Sequence, residues 1–226
     1  MSSETIPSRG DVTRQALLRA ATEIFGRDGY HAASTRSIAQ EAGVNQALIG
    51  YHYGGKHGLY LAVFEEFNES VAARVAGVAA EVRSGLDLLS RDSDNRVEVC
   101  TEYIERILMT MLETMQEPGM RSWARLMMRE QQDPTEGIGI LYQGVFGEMQ
   151  ALLARAVALA AAEPLDSQMA RLRALMLLGE VVVFISARAT TARQMGWQDI
   201  GPRELGLIRK QLHNNVQALF SAGETS

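Results

Sequence analysis

The tightest constraint on how this 226-residue chain folds is the stretch STRSIAQEAGVNQALIGYHYGGKHGL, residues 34–59, which crowds two helix signals so closely that neither helix can be long. Ser34 or Thr35 caps the first, Ile38, Ala39 and Ala42 give it an apolar side, and Gly43 supplies the positive φ that stops it. Val44 packs in the turn and Asn45 caps the second helix. Leu48, Ile49 and Tyr51 make its small apolar side, leaving Gln46, Gly50 and His52 to face elsewhere. Two helices of this length bury too little surface to stand alone, so they need a brace in front and behind. This is the helix-turn-helix pattern, which offers its second helix to the DNA major groove.

The flanking residues supply the braces. From residue 12 or 13 to 27, Ala16 or Leu17, Ala20, Ala21, Ile24 and Phe25 keep helical spacing, and Gly29 closes the helix. Residues 1–11 are polar, with Pro7 and Gly10, and read as a disordered arm; Arg9 is its one candidate for a minor-groove contact. A helix from Lys56 carries Leu59, Val63, Phe64, Phe67, Val71, Val75 and Val78, too long a stripe for a small domain, so it should link the head to a body. Gly85 and the polar run 90–95 mark the next break. Further helices are predicted over 96–115, 118–133 (ending before Pro134), 135–162 (closed by Pro164), 166–195 and 202–222. No segment alternates with period two for long enough to form a strand. The expectation is an all-α fold of nine helices: a three-helix helix-turn-helix domain over 12–57, with its motif at 34–53, and a six-helix domain for ligand binding and dimerisation over 58–222.

The motif resembles the DNA-binding end of the TetR family of bacterial transcriptional regulators. The matching residues are Thr35, Ile38, Ala39, Ala42, Gly43, Val44, Tyr51, His52, Tyr53, Lys56 and Leu59, preceded by Ala20, Ala21, Ile24, Phe25, Gly29 and Tyr30. Two residues depart from the pattern: Gly50 stands where the family has an aromatic residue and Leu48 where it has a small hydroxyl residue. Further on, EPGMRSWARLMMREQQDPTEG, with Arg129, Glu130, Gln131, Asp133 and Pro134, resembles the C-terminal domain of the CecR-type subgroup. The resemblance implies a ligand-responsive, homodimeric repressor that leaves a palindromic operator when a small hydrophobic molecule binds.

Charge argues that any DNA contact is local. The chain has 22 cations against 27 anions, a net −5, which excludes nonspecific coating of nucleic acid. Through residue 60 the cations are Arg9, Arg14, Arg19, Arg27, Arg36 and Lys56, against Glu4, Asp11, Glu23, Asp28 and Glu41. Binding must then rest on placement and on the avidity of a pair. The single cysteine, Cys100, excludes an internal disulfide framework and reads as a buried small hydrophobe. With no signal peptide or membrane-spanning stretch in view, a cytoplasmic protein is expected.

The DNA-facing candidates are Thr35, Arg36, Asn45, Gln46, Ala47, Tyr51, His52 and Lys56. Gln46 suits an adenine edge, Tyr51 and His52 suit phosphates, and Thr35, Arg36 and Lys56 open helices whose free N–H groups favour a phosphate. The family resemblance, with eleven methionines able to re-pack, implies a pocket among Phe64, Phe67, Tyr103, Ile107, Met111, Trp123, Met127, Tyr142, Phe146, Met149 and Met176, with core packing as the rival reading. It also implies a four-helix dimer interface, for which Leu175, Gly179, Val182, Val183, Ser186, Leu205, Ile208, Leu212 and Val216 are the candidates. The competing function is a binder of hydrophobic small molecules whose head no longer recognises DNA. Enzyme readings are weak: His52 and His57 straddle Gly54-Gly55 at the wrong spacing for one helical face, Gly137 and Gly139 lack a preceding strand, and Glu65 and Glu66 diverge by roughly 100°. No cofactor or metal is expected.

Overall fold

The computed structural model describes residues 8–90 and 93–221, and every regular element among them is an α-helix. In chain order these are α1 (Arg9–Ala32), α2 (Thr35–Glu41), α3 (Ala47–Tyr53), α4 (Lys56–Leu88), α5 (Arg96–Gln116), α6 (Met120–Gln132), α7 (Glu136–Gln143), α8 (Val145–Ala160), α9 (Gln168–Ser186), α10 (Arg188–Met195) and α11 (Pro202–Ser221). The all-α class is as the sequence predicts. The two helices beyond nine come from breaks inside predicted helices: Gly144 (φ −100°, ψ −150°) separates α7 from α8, and Ala187 (φ −108°, ψ 37°) separates α9 from α10. A break of one residue leaves the apolar spacing on either side intact, so periodicity does not sense it.

Three boundaries move for local reasons. α1 starts at Arg9 because Ser8 caps it: the Ser8 hydroxyl accepts from the Asp11 N–H at 3.1 Å and the Asp11 carboxylate accepts from the Ser8 N–H at 3.1 Å. The Ser8 hydroxyl, which also donates to the Asp11 carboxylate at 2.7 Å, and then the Ser8 N–H hold the Asp11 carboxyl below its usual pKa. Residues 9–11 of the expected arm are thus helical, and residues 1–7 lie outside the described residues. Gly29 (φ +81°) kinks α1 instead of ending it. Gly85 lies inside α4; it has no room for a Cβ because the Tyr103 hydroxyl of α5 occupies that space.

By packing, the chain forms two units. One comprises the chain up to Ser70 with Arg121–Tyr142; the other comprises Val71–Met120 with the chain from Gln143 on. This differs from the sequence boundary at 57 and 58: the first turns of α4 group with α1–α3, and α6 and α7 return to the same unit. Aromatic packing explains the return. Tyr60 of α4 lies 4.9 Å from Phe25 and 4.7 Å from Tyr30 of α1 and 5.0 Å from Phe64, while Trp123 of α6 packs on Phe67 at 4.6 Å and Phe64 at 6.1 Å. Each such pair adds about 0.5–1.5 kcal/mol to its area term. Gly137 of α7 meets Phe64 so closely that a side chain there would overlap the ring.

In the other unit α5 is the central element, packed against α8, α9 and α11, with Cys100, Ile104, Ile107, Leu108 and Leu112 buried. Cys100 is fully buried, as expected, and burial pushes its thiol pKa up to about 11. No helix among the described residues is long and apolar enough to cross a membrane.

Candidate nucleic-acid interface

The turn between α2 and α3 is fixed by side chains that cap helices. Ser34 and Ser37 form a reciprocal box on α2: the Ser37 N–H donates to the Ser34 hydroxyl at 3.0 Å, and the Ser34 N–H donates to the Ser37 hydroxyl at 3.3 Å. The Asn45 Oδ1 accepts from the Ala47 N–H at 2.8 Å and so caps α3, which ends at Gly54 (φ +70°). α3 is anchored by Ile49, which is 1% exposed, with Leu48 and Tyr53 half-buried beside it. Tyr51, expected on this side, is 82% exposed: two residues on from Ile49 is a rotation of about 200°, nearly the opposite face. Tyr53 is the inward tyrosine, its hydroxyl donating to the Arg14 carbonyl at 3.0 Å, and burial raises its pKa.

The outward face of α3 therefore carries Gln46, Ala47, Gly50 and Tyr51, all exposed. Thr35, Asn45, Gln46 and Ala47 of the predicted set surround one open hollow with Ile49, Gly50 and Gly55. Within it the Gln46 Nε2 donates to the Thr35 hydroxyl at 2.8 Å. Arg36 is exposed, and His52 is half-buried between the rings of Tyr51 (4.9 Å) and Tyr53 (6.3 Å). Lys56 turns toward α1: its Nζ donates to the His31 carbonyl at 3.3 Å and lies 4.6 Å over the Tyr30 ring.

Sequence reasoning missed the side chains of α6 that lock onto α1. A Cβ on Gly26 would stand 2.7 Å from the Ser122 carbonyl oxygen, so the two helices touch only because residue 26 is glycine. Arg129 donates to the carbonyls of Gly26 (3.2 Å) and Arg27 (2.7 Å) at the end of the first part of α1. Glu23 receives the Ser122 hydroxyl and Arg125. Glu130, 1% exposed, receives the Tyr60 hydroxyl, the Thr135 N–H at 3.0 Å and the Thr135 hydroxyl at 2.9 Å. Burial, with Glu130 as acceptor, moves the Tyr60 hydroxyl pKa well above its ordinary value. The Arg129-Glu130 pair was visible as a motif, but its partners on α1 and α4 are far away in the chain.

The candidate pocket residues divide between the units. Phe64, Phe67, Trp123, Met127 and Tyr142 fall in the first and Tyr103, Ile107, Met111, Phe146, Met149 and Met176 in the second. Phe64, Phe67 and Trp123 come together as packed core, Ile107 and Met149 are buried, and Met176 is 67% exposed. Of the candidate dimer residues, Leu175, Gly179, Val183 and Ser186 are exposed and Val182 and Leu205 half-buried. Ile208, Leu212 and Val216 are 6%, 3% and 0% exposed within this single chain, whose α11 packs on α5. α9 is apolar on two sides, burying Ala170, Ala174, Leu177, Leu178 and Val181 while exposing Leu172, Leu175, Met176 and Val183.

Residues 17–63 match the family of bacterial regulatory proteins typified by tetR, and residues 100–223 match the C-terminal domain of the HTH-type transcriptional dual regulator CecR. Over 221 residues the chain is 26% identical to the dual regulator CecR of Shigella flexneri, covering 97% of this chain and 96% of the relative. Among solved structures it is similar in fold to a TetR-like regulator from Rhodococcus sp. RHA1 (19% identity, TM-score 0.59, 97% and 100% of the two chains). It is also similar to FadR from Bacillus subtilis in complex with stearoyl-CoA (14% identity, TM-score 0.57, 89% and 96%).

Proposed function

The chain belongs to the TetR family of bacterial transcriptional regulators, with a C-terminal domain of the CecR type, and from that premise we propose that it works as a homodimeric repressor released from a palindromic operator by a small hydrophobic molecule. The observation that carries this reading is the outward face of α3, where Gln46, Ala47, Gly50 and Tyr51 are exposed on a short helix held by Ile49 and two capped ends. Gln46 reads an adenine edge, while Arg36, Tyr51, His52 and Lys56 set the phosphate register, with Asn45 keeping α3 in place. Two copies joined through the exposed apolar side of α9 present their α3 helices about 34–36 Å apart, one turn of B-DNA.

Ligand control is an equilibrium between body conformations that hold the heads at or away from groove pitch. To shift that equilibrium from 1:99 to 99:1 the effector must prefer the released state by about 5.5 kcal/mol. A long-chain acyl group is the leading class to test, since the fold neighbour from Bacillus subtilis holds stearoyl-CoA.

The test is duplex selection from a random pool followed by titration of the winning site at several salt concentrations. Tyr51→Ala with Lys56→Ala should weaken binding more than tenfold and flatten the salt slope by roughly one unit for the lysine. Unchanged affinity and slope would remove the contacts assigned here.

A further inference from the structure

The outward face of α3 contains one hydrogen bond that links it to α2. The Gln46 Nε2 donates to the Thr35 hydroxyl at 2.8 Å, although Thr35 opens α2, Gln46 immediately precedes α3 and Gln46 is exposed. An exposed glutamine ordinarily samples many rotamers, and freezing them on binding costs much of what a base contact returns. Here the side chain is held before DNA arrives. Its neighbour Asn45 is committed to the Ala47 N–H as a cap, which leaves Gln46 as the amide on this face free to read a base.

We propose that Thr35 acts as the residue that positions Gln46 for base readout, and that its hydroxyl is not a phosphate anchor. This rests on the reading of Gln46 as the base contact. A carboxamide carries two N–H bonds. The one on the same side as the oxygen pairs, together with that oxygen, with N7 and N6 of adenine, and the other is free for a protein acceptor. In the proposed arrangement Thr35 takes that second N–H from the Gln46 Nε2, 2.8 Å away, so the edge left to the groove has one donor and one acceptor, the complement of adenine. Gly50, one turn along, has nothing within 4 Å of where a Cβ would sit, so the space in front of the amide is open.

The two roles for Thr35 leave different marks. A phosphate anchor adds the same affinity to every sequence, whereas a positioning residue adds affinity only where the positioned group finds its base. The experiment uses full-length protein, duplexes enriched from a randomised pool, and the same duplexes with single base-pair changes, read by fluorescence anisotropy. Gln46→Ala identifies the base pair that Gln46 reads. Thr35→Val, which keeps shape and loses the hydroxyl, should then cut discrimination at that same base pair by about tenfold while leaving the other positions and the salt slope as they were. Thr35→Ser should restore it. Thermal melts of each variant separate a lost contact from a lost fold. Equal weakening of all duplexes by Thr35→Val, or unchanged discrimination, overturns the positioning role. Loss of no base preference in Gln46→Ala overturns the underlying reading of Gln46, a separate and distinguishable failure.

Discussion

Two glycines show why a residue's type alone does not give its role. Gly58 sits where a Cβ would collide with the Tyr53 carbonyl oxygen, whereas Gly50 has nothing within 4 Å. Gly58→Ala should therefore cost about 1–3 kcal/mol through forced backbone movement, and Gly50→Ala should stabilise the chain by about 0.5–1 kcal/mol by removing helix-interior glycine. Urea unfolding of the two variants beside the parent checks both signs. Cys100 gives a pH test. Burial raises its thiol from the ordinary 9 to about 11, so the folded chain binds the proton more tightly than the unfolded one. The stability this contributes is complete below about pH 9 and falls as pH rises toward 11. Cys100→Ala should flatten the decline of unfolding free energy between pH 9 and 10, and the parent thiol should react with an aromatic disulfide only on unfolding. The burial of Cys100 was legible from its place in a helical pattern. The roles of Gly58 and Glu130 were not, because each depends on what stands opposite.

At the level of single helices, the ends follow side-chain chemistry and the faces follow packing. Ser34, Gly43 and Asn45 act as the sequence predicts, since a cap or a positive-φ stop is a local matter of a few residues. The faces of α9 and α11 were harder. Ile208, Leu212 and Val216 make a regular apolar row, and spacing says that the row is covered without saying by which chain. In the structure the row is buried within the single chain, whose α11 packs on α5. Ile208→Ala should accordingly cost about 2–5 kcal/mol of folding free energy, and Leu175→Ala, at a residue 56% exposed, should cost less than about 0.5 kcal/mol in the isolated chain. Chemical denaturation at low protein concentration, where association does not contribute, separates the two.

For the molecule as a whole, the exposed row of Leu172, Leu175, Met176 and Val183 on α9 is the surface that the proposed dimer covers. Charge placed there should break the pair without unfolding the chain. Leu175→Glu with Met176→Glu is expected to sediment as a monomer with an unchanged helical spectrum and to lose at least tenfold in affinity for a palindromic duplex, since the second head no longer binds at high effective concentration. A variant that remains a dimer would remove α9 from the interface. The amino-acid sequence by itself determined the all-α class, the helix-turn-helix at 34–53 and the buried cysteine, because those follow from spacing, caps and glycine stops within a few turns of chain. Only the tertiary structure decided that α6 and α7 join the unit of α1–α3, that Arg129 and Glu130 face α1 and α4, and that the α11 row is buried within the single chain. Each of those outcomes depends on which distant surface fills a given space, and the pattern of one helix does not carry that information.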